Sequence, residues 1–128
     1  MWDIVPIIGG VIAVLIDLTP VHYHRRRRVV VVDMPDAVQT EVRVGQIGIA
    51  RKHKDYLPMD LAIRILGGEG ANRLHRVLRS ERGLTYGAQA DAEMMKLAGH
   101  FVAETNTQTR STGEALRLMI EEIGKLQR

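Results

Sequence analysis

Cysteine is absent from this chain of 128 residues, which excludes disulfides, thiolate metal ligands and cysteine nucleophiles. The same absence leaves the compartment open, so the periplasm and the cytoplasm are both compatible with the sequence. Aromatic residues make up only 4%, and aliphatic side chains must therefore fill most of the core. With 45% hydrophobic and 26% charged residues, the composition is that of a globular protein, and a chain of this length forms at most one domain.

Long hydrophobic runs are also missing. The longest, Ile4–Ile16, is shorter than the roughly 20 residues that span a bilayer, so no transmembrane span is expected. The run does not have the pattern of a signal peptide either, because Asp3 precedes it and a basic segment follows it. Two interpretations remain: a buried strand or helix bent at Pro6, or a segment that does not belong to the natural domain. The second is favoured here.

Positive charge is concentrated in one place. The net charge is +3, but four arginines lie together at Arg25–Arg28 and the remainder is slightly acidic, so nucleic-acid binding is not expected. His22 and His24 precede this cluster, whose guanidinium groups repel a divalent cation. A solvated basic segment is therefore favoured over a metal site. Tethering to an anionic surface remains an alternative, and salt would abolish it.

Hydrophobic patterning predicts two strands before the helices and two more after them. Val29–Val32 is β-branched throughout, and Gln39–Ala50 alternates apolar and polar residues. The apolar set of this second strand shifts by one position after Gly45, which predicts a bulge or a strong bend. Later, alanines alternate with polar residues over Tyr86–Glu93, and Ala98–Thr105 returns beside them as a partner strand.

Three helices are predicted from apolar residues at helical spacing. The inward residues are Leu57, Leu61, Ala62, Ile65 and Leu66 for the first, Leu74, Val77 and Leu78 for the second, and Leu116, Met119, Ile120, Ile123 and Leu126 for the third. Asp55 precedes the first helix as an N-cap, and Ser111–Glu114 predicts a capping box for the third, whose solvated side carries Glu121, Glu122 and Lys125. The sequence therefore predicts an α+β fold with a mostly antiparallel sheet, helices on one face and the order β-β-α-α-β-β-α.

The stretch Leu78–Gly87 joins the second helix to the third strand. Gly83 is expected to end the helix, and a strand is expected to start at Leu84. Arg79 and Tyr86 stand on either side of this break, and both are hydrogen-bond donors at neutral pH. If they project into one cleft, the pair suits a developing negative charge. From spacing alone, an arginine near a helix end and a packed strand tyrosine remain the simpler explanation.

Two motifs that would indicate other chemistry are absent. The loop Gly67–Arg73 lacks the third glycine of a dinucleotide fingerprint and the G-K-[ST] of a phosphate loop, so nucleotide binding is not expected. The five histidines form neither His-x-x-Glu-His nor His-Glu-x-x-His. The chain is therefore expected to hold no metal or cofactor and to be inactive as a peptidase by itself.

Three motifs in order carry a family resemblance: V-V-D-M-P-D-A-V-Q-T at Val31–Thr40, R-I-L-G-G-E-G-A-N-R-L at Arg64–Leu74 and L-R-S-E-R-G-L-T-Y-G at Leu78–Gly87. Together they resemble the second, non-zinc half-domain of the insulinase/pitrilysin family of zinc metallopeptidases, of the mitochondrial processing peptidase type. The resemblance implies that residues 29–128 form part of such a domain as a fragment. It leaves residues 1–28 outside, as an apolar and basic segment.

The resemblance also implies a function in a site shared between two halves. In that family an arginine and a tyrosine at this separation reach across to the zinc site of a partner half, which assigns oxyanion and substrate binding to Arg79 and Tyr86. Gly67, Gly68 and Gly70 are implied to bind peptide substrate. Zinc is expected in the partner half or subunit, and a hetero- or homo-oligomer is expected. The alternative is a non-catalytic scaffold subunit related to the core proteins of the respiratory complex.

Overall fold

The computed structural model describes residues 11–16 and 27–127. Its strands are β1 Val11–Ile16, β2 Arg27–Val31, β3 Gln39–Gly48, β4 Ala88–Met94 and β5 Gly99–Gln108, and its α-helices are α1 Tyr56–Gly67, α2 Arg73–His75 and α3 Thr112–Gly124. Helix α2 continues as a π-helical segment, Arg76–Glu81, and 3-10 turns flank α3 at Thr109–Ser111 and Lys125–Gln127. None of the helices in these two ranges has the length and hydropathy needed to cross a membrane.

The described strands form one sheet in the order β2-β1-β3-β5-β4. Neighbours run antiparallel except β1 and β3, which are parallel. The predicted α+β class and mostly antiparallel sheet are therefore confirmed, and β1 is an addition to the predicted order. Of the two interpretations of Ile4–Ile16, a strand holds for its last six residues, Val11–Ile16. Residues 4–10, His22 and His24 lie outside the described residues.

Strand β3 has no bulge, so of the two predicted alternatives the bulge is wrong. Its register with β5 is unbroken from Gln39, opposite Gln108, to the end of the strand, and Gly45 pairs with Val102 in sequence with its neighbours. The apparent slip has a simpler cause. Ile47 lies on the sheet face opposite to that of the core residues and is 37% exposed.

The core lies between one face of the sheet and all three helices, as predicted. The fully buried side chains of this core come from both layers: Val42 and Ala103 from the sheet, and Leu66, Leu74, Leu78, Ala115 and Met119 from the helices. Burying an aliphatic side chain of this size contributes roughly 1.5–3 kcal/mol. The predicted inward face of the second helix is confirmed.

Helix α1 presents a different face to the sheet from the one predicted. Three side chains expected in the core are 72%, 61% and 51% exposed: Leu57, Leu61 and Ile65. Leu66 is buried as predicted, and Ile63 and Gly67 are buried beside it. Gly67 determines this rotation, because α1 lies so close to β4 that a side chain there would overlap the backbone of Ala90. With Gly67 against the sheet, the helical period turns the other face toward solvent.

Helix α3 packs on the same layer, with Met119 buried and Leu116, Ile123 and Leu126 contacting the core, while Ile120 is 39% exposed. The predicted capping box is wrong, since Ser111 makes no side-chain bond at the helix start. A 3-10 turn precedes the helix there instead.

Glu122, predicted to be solvated, is 2% exposed, so that prediction is also wrong. Its Oε2 accepts a hydrogen bond from Nε of Arg73 at 3.1 Å and forms an ion pair with Nη2 of Arg73 at 3.0 Å, and its Oε1 accepts a hydrogen bond from Lys125. Burial by itself raises the pKa of Glu122, but the hydrogen bonds and positive charges of Lys125 and Arg73 outweigh it and hold the pKa below its usual value. This ionised carboxylate ties α3 to the start of α2.

Candidate functional site

The helical segment that carries Arg79 ends where the sequence predicts. Gly83 follows the π-helical turn with φ of 63°, in the left-handed region that favours glycine. Its N–H donates to the carbonyl of Arg79 at 2.9 Å, and the N–H of Leu84 donates to that of Leu78 at 2.8 Å. These bonds fix the direction in which the chain leaves the helix. Single π-helical turns are rare and frequently occur at functional sites.

Tyr86 lies in a loop, and the prediction of a strand starting at Leu84 is wrong. Strand β4 begins only at Ala88. The Thr85 hydroxyl donates to the carbonyl of Gly87 at 2.8 Å and accepts from the Gly87 N–H at 3.1 Å, which makes a local side-chain turn. The turn leaves the Tyr86 side chain 86% exposed.

Two buried threonines of β5 anchor this loop. The Thr107 hydroxyl donates to the carbonyl of Leu84 at 2.7 Å. The Thr105 hydroxyl lies 2.9 Å from that of Thr85 and 2.8 Å from the carbonyl oxygen of Gly87. Both threonines are less than 5% exposed. The backbone on either side of Tyr86 is therefore fixed while its phenol is free.

Thr107→Val is expected to lower the free energy of unfolding by about 1–2 kcal/mol, because the partly buried Leu84 carbonyl loses its donor while the side-chain shape is kept. Urea denaturation measures the change. Thr112→Val is the matched control, since its hydroxyl bonds the Thr109 carbonyl at the surface, where water replaces it at a cost within about 0.5 kcal/mol. Equal losses in the two variants would contradict an anchoring role for Thr107.

A groove of about 1050 Å³ runs beside the loop and along the edge strand β4. Four of the five residues predicted for the site line it: Gly67, Gly68, Gly70 and Tyr86. Arg79 is not among the lining residues. Its Nη1 lies 3.2 Å from Nε2 of His75, which does line the groove. Because a guanidinium only donates, a hydrogen bond between these two atoms needs Nε2 of His75 as the acceptor. The structure thus leaves Arg79 at the margin of the groove, bonded to one of its walls.

Glycine occupies the three predicted positions of this loop for different structural reasons. A Cβ at Gly67 would overlap Ala90, and one at Gly68 would lie 2.7 Å from the carbonyl oxygen of Arg64. Gly70 has open space around it but a φ of 85°, which a side chain would strain. Close packing therefore requires the first two, and backbone conformation favours the third.

Asn72 joins the walls of the groove. Its Oδ1 accepts from the His75 N–H at 2.7 Å and caps α2, while its Nδ2 donates to the carbonyl of Gly68 at 2.7 Å and lies 3.4 Å from that of Ala88. At 8% exposure, one amide satisfies backbone groups of the glycine-rich loop, the helix and β4.

The charge of the groove is mostly negative. Its acidic lining residues are Glu41, Asp60, Glu69, Asp91 and Glu104. Arg64 is the main opposing charge, and it donates to Asp60 at 2.9 Å. The hydrogen bond and charge of Asp60 raise the pKa of Arg64, which therefore stays cationic. Across the described part of the chain, no group of three or more histidines, aspartates and glutamates is arranged to hold a metal ion.

Sequence reasoning missed the anchoring threonines and the role of Asn72. The signal for the threonines was present, because Phe101, Ala103, Thr105 and Thr107 alternate along β5 and so share one face. Two hydroxyls at the end of an apolar series indicate backbone groups that need partners. Which carbonyls they bond depends on residues about 20 positions away.

Comparisons with known proteins identify the family of the chain. The chain matches the family of the peptidase M16 inactive domain over residues 13–128, a range that begins within the segment 1–28. The crystal structure of the peptidase M16 inactive domain from Pseudomonas fluorescens is similar to it, with 32% sequence identity and a TM-score of 0.66, over 70% of this chain and 22% of that one. The comparison with curated proteins found no match. The chain therefore belongs to the peptidase M16 inactive domain family, the non-zinc half of insulinase-family metallopeptidases.

Proposed function

We propose that this chain supplies oxyanion-binding and substrate-binding residues to a composite metalloendopeptidase site, whose zinc lies in a partner half. The family supports a role beside a partner half. The observation that carries the proposal is the exposure of Tyr86 above a fixed backbone. Its side chain is 86% exposed, although Thr105 and Thr107 anchor the loop on both sides of it.

The simpler explanation for Arg79 and Tyr86 is that they stabilise the fold by packing, but neither side chain contributes much to stability. An exposed tyrosine removes little apolar surface from water and so stabilises little. Arg79, also exposed, interacts favourably with the end of its helix, but such a contact at the surface contributes only about 0.3–1 kcal/mol. Both donors are therefore available to groups outside this chain.

The chemistry follows from the donors. During peptide hydrolysis, negative charge develops on the oxygen of the scissile carbonyl, and donors directed at that oxygen stabilise the transition state more than the substrate. The Arg79 guanidinium and the Tyr86 hydroxyl can both donate to it. His75, which accepts from Arg79, holds the guanidinium near the groove and is a positioning residue. Zinc, when bound in the partner half, supplies the Lewis-acid chemistry.

The groove supports a peptide as the substrate. It is about 1050 Å³ in volume and follows β4, the edge strand of the described sheet, so an extended chain fits along it. Gly67, Gly68 and Gly70 lie in its wall, where the absence of side chains lets a peptide backbone approach closely. We assign substrate contact to this loop.

Arg79→Gln and Tyr86→Phe are each expected to lower kcat by about 10²–10³-fold, because each removes one donor to the developing oxyanion. The measurement is cleavage of a fluorogenic peptide by the chain co-expressed with a zinc-bearing half of the same family. Neither change should lower the unfolding free energy by more than about 1 kcal/mol, since both side chains are exposed.

Arg76→Gln is the matched control for the arginine, because Arg76 lies in the same π-helical segment but pairs with Glu81. Tyr56→Phe serves for the tyrosine, and both controls should keep full activity. Unchanged cleavage in Arg79→Gln and Tyr86→Phe, with intact binding of the zinc-bearing half, would contradict the proposal. That result would favour the alternative of a non-catalytic scaffold subunit, which the comparisons do not favour.

A further inference from the structure

We infer that helix α1 is the contact surface of a weak homodimer, in which two copies of α1 pack antiparallel about a two-fold axis at Leu61. The surface is the α1 stripe, defined as Leu57, Leu61 and Ile65, with exposures of 72%, 61% and 51%. None of the three belongs to the core or to the side chains packed against it in the described ranges. The inference goes beyond the proposed function, because it requires neither Arg79 and Tyr86 nor a zinc-bearing half.

The α1 stripe is complementary to itself. Its residues follow each other at four-residue spacing, with Leu61 in the middle, and such a row forms a ridge that packs into the grooves of another helix. In an antiparallel pair, Leu61 meets Leu61 of the second copy, and Leu57 meets Ile65 of the second copy. The same patch then serves both copies, and the contact closes as a two-fold dimer.

The charges at the ends of α1 favour the antiparallel arrangement. The basic segment Arg51–Lys54 precedes the helix and Glu69 follows it, and all of these residues are exposed. At 1.5 Å per residue, the ends of α1 at Tyr56 and Gly67 lie about 8 Å and about 9 Å from Leu61 along the helix axis, and Lys54 and Glu69 follow two residues beyond these ends. An antiparallel pair therefore brings Lys54 of each copy near Glu69 of the other, whereas a parallel pair would place the two basic segments together.

The size of the α1 stripe predicts a weak complex. Three aliphatic side chains per copy cover far less than the roughly 800 Å² per partner that a stable complex buries. Asp60 and Arg64 at the border of the stripe bond each other at 2.9 Å, so the rim holds no unpaired charge there. We expect a dissociation constant on the order of 100 µM.

Sedimentation velocity over about a hundredfold range of protein concentration tests the dimer. The sedimentation coefficient of the wild type is expected to rise with concentration. Leu61→Glu is expected to abolish the rise, because two carboxylates would meet at the symmetry axis. Val38→Glu is the matched control, since Val38 is 82% exposed just before β3, at the opposite end of that strand from the basic segment, and it should associate like the wild type.

A charge exchange tests the orientation separately. Glu69→Lys and Lys54→Glu should each weaken association at low salt, and the double variant should restore it; circular dichroism checks that each variant is folded. A wild type that stays monomeric at every concentration overturns the inference and leaves the α1 stripe to another segment or protein. Association that survives Leu61→Glu, or a double variant no better than the single ones, overturns it as well.

Discussion

Gly67→Ala is expected to lower the free energy of unfolding by about 3 kcal/mol or more, because helix α1 cannot keep its distance from β4. A Cβ at Gly67 overlaps the amide nitrogen and Cβ of Ala90 and lies 2.7 Å from the carbonyl carbon of Gln89. These atoms belong to a strand paired with β5 along its whole length, so they cannot shift independently. The helix must move outward as a whole, and buried neighbours such as Leu66 lose packing with it.

Urea or thermal denaturation measures this loss, with Gly113→Ala as the matched control. A Cβ at Gly113, in the first turn of α3, meets no atom within 4 Å. Alanine there is expected to be neutral or to stabilise the protein by up to about 1 kcal/mol. If Gly67→Ala unfolds like the wild type but loses peptide binding, its role lies in the groove and not in helix packing.

Arg73→Met is expected to lower the free energy of unfolding by about 3 kcal/mol at neutral pH, because it leaves the carboxylate of Glu122 buried with one partner fewer. The carboxylate is 97% buried, and the remaining partner, Lys125, is 54% exposed. Arg117→Met is the matched control on the same helix, since its pair with Glu121 is exposed on both sides. That exposed pair contributes no more than about 0.5 kcal/mol to stability. Equal losses of unfolding free energy in Arg73→Met and Arg117→Met would contradict the explanation from the buried pair.

Lowering the pH should reduce the difference in unfolding free energy between Arg73→Met and the wild type. The folded-state pKa of Glu122 is lowered, since Lys125 and Arg73 outweigh burial. Such a carboxyl stabilises the fold above its unfolded pKa of about 4.3, and the contribution is lost as the pH falls through the folded value. Without Arg73 that pKa rises, so ionised Glu122 contributes less to the unfolding free energy of the variant. Acidification therefore removes less stability from the variant than from the wild type. Denaturation between neutral pH and pH 3 should show the two curves converging; parallel curves would contradict the assignment.

The two helices show where sequence patterning is sufficient and where it is not. For the second helix, Leu74, Val77 and Leu78 form the only apolar row that the spacing allows, and all three are buried. Helix α1 is apolar on several sides, so its period fits more than one inward face. The fit of Gly67 against Ala90 selects the face, and that contact joins residues far apart in the chain.

Glu122 shows the same limit for charged residues. A glutamate beside Glu121 and Lys125 at a helix end is typical of a solvated face. It is buried because Arg73, 49 residues earlier, lies above it and completes its hydrogen bonds. No local pattern contains that partner.

The sequence by itself determined the family, the α+β class, the helix stop at Gly83 and the identity of Arg79 and Tyr86 as candidates. These depend on the order of neighbouring residues and on backbone preferences, which are local. Only the tertiary structure decided the place of β1 beside β3, the α1 stripe on the surface, and the anchored loop that leaves Tyr86 free at the groove. Each of these depends on steric fit and hydrogen bonds between distant segments, which form only when the helices and the sheet are packed together.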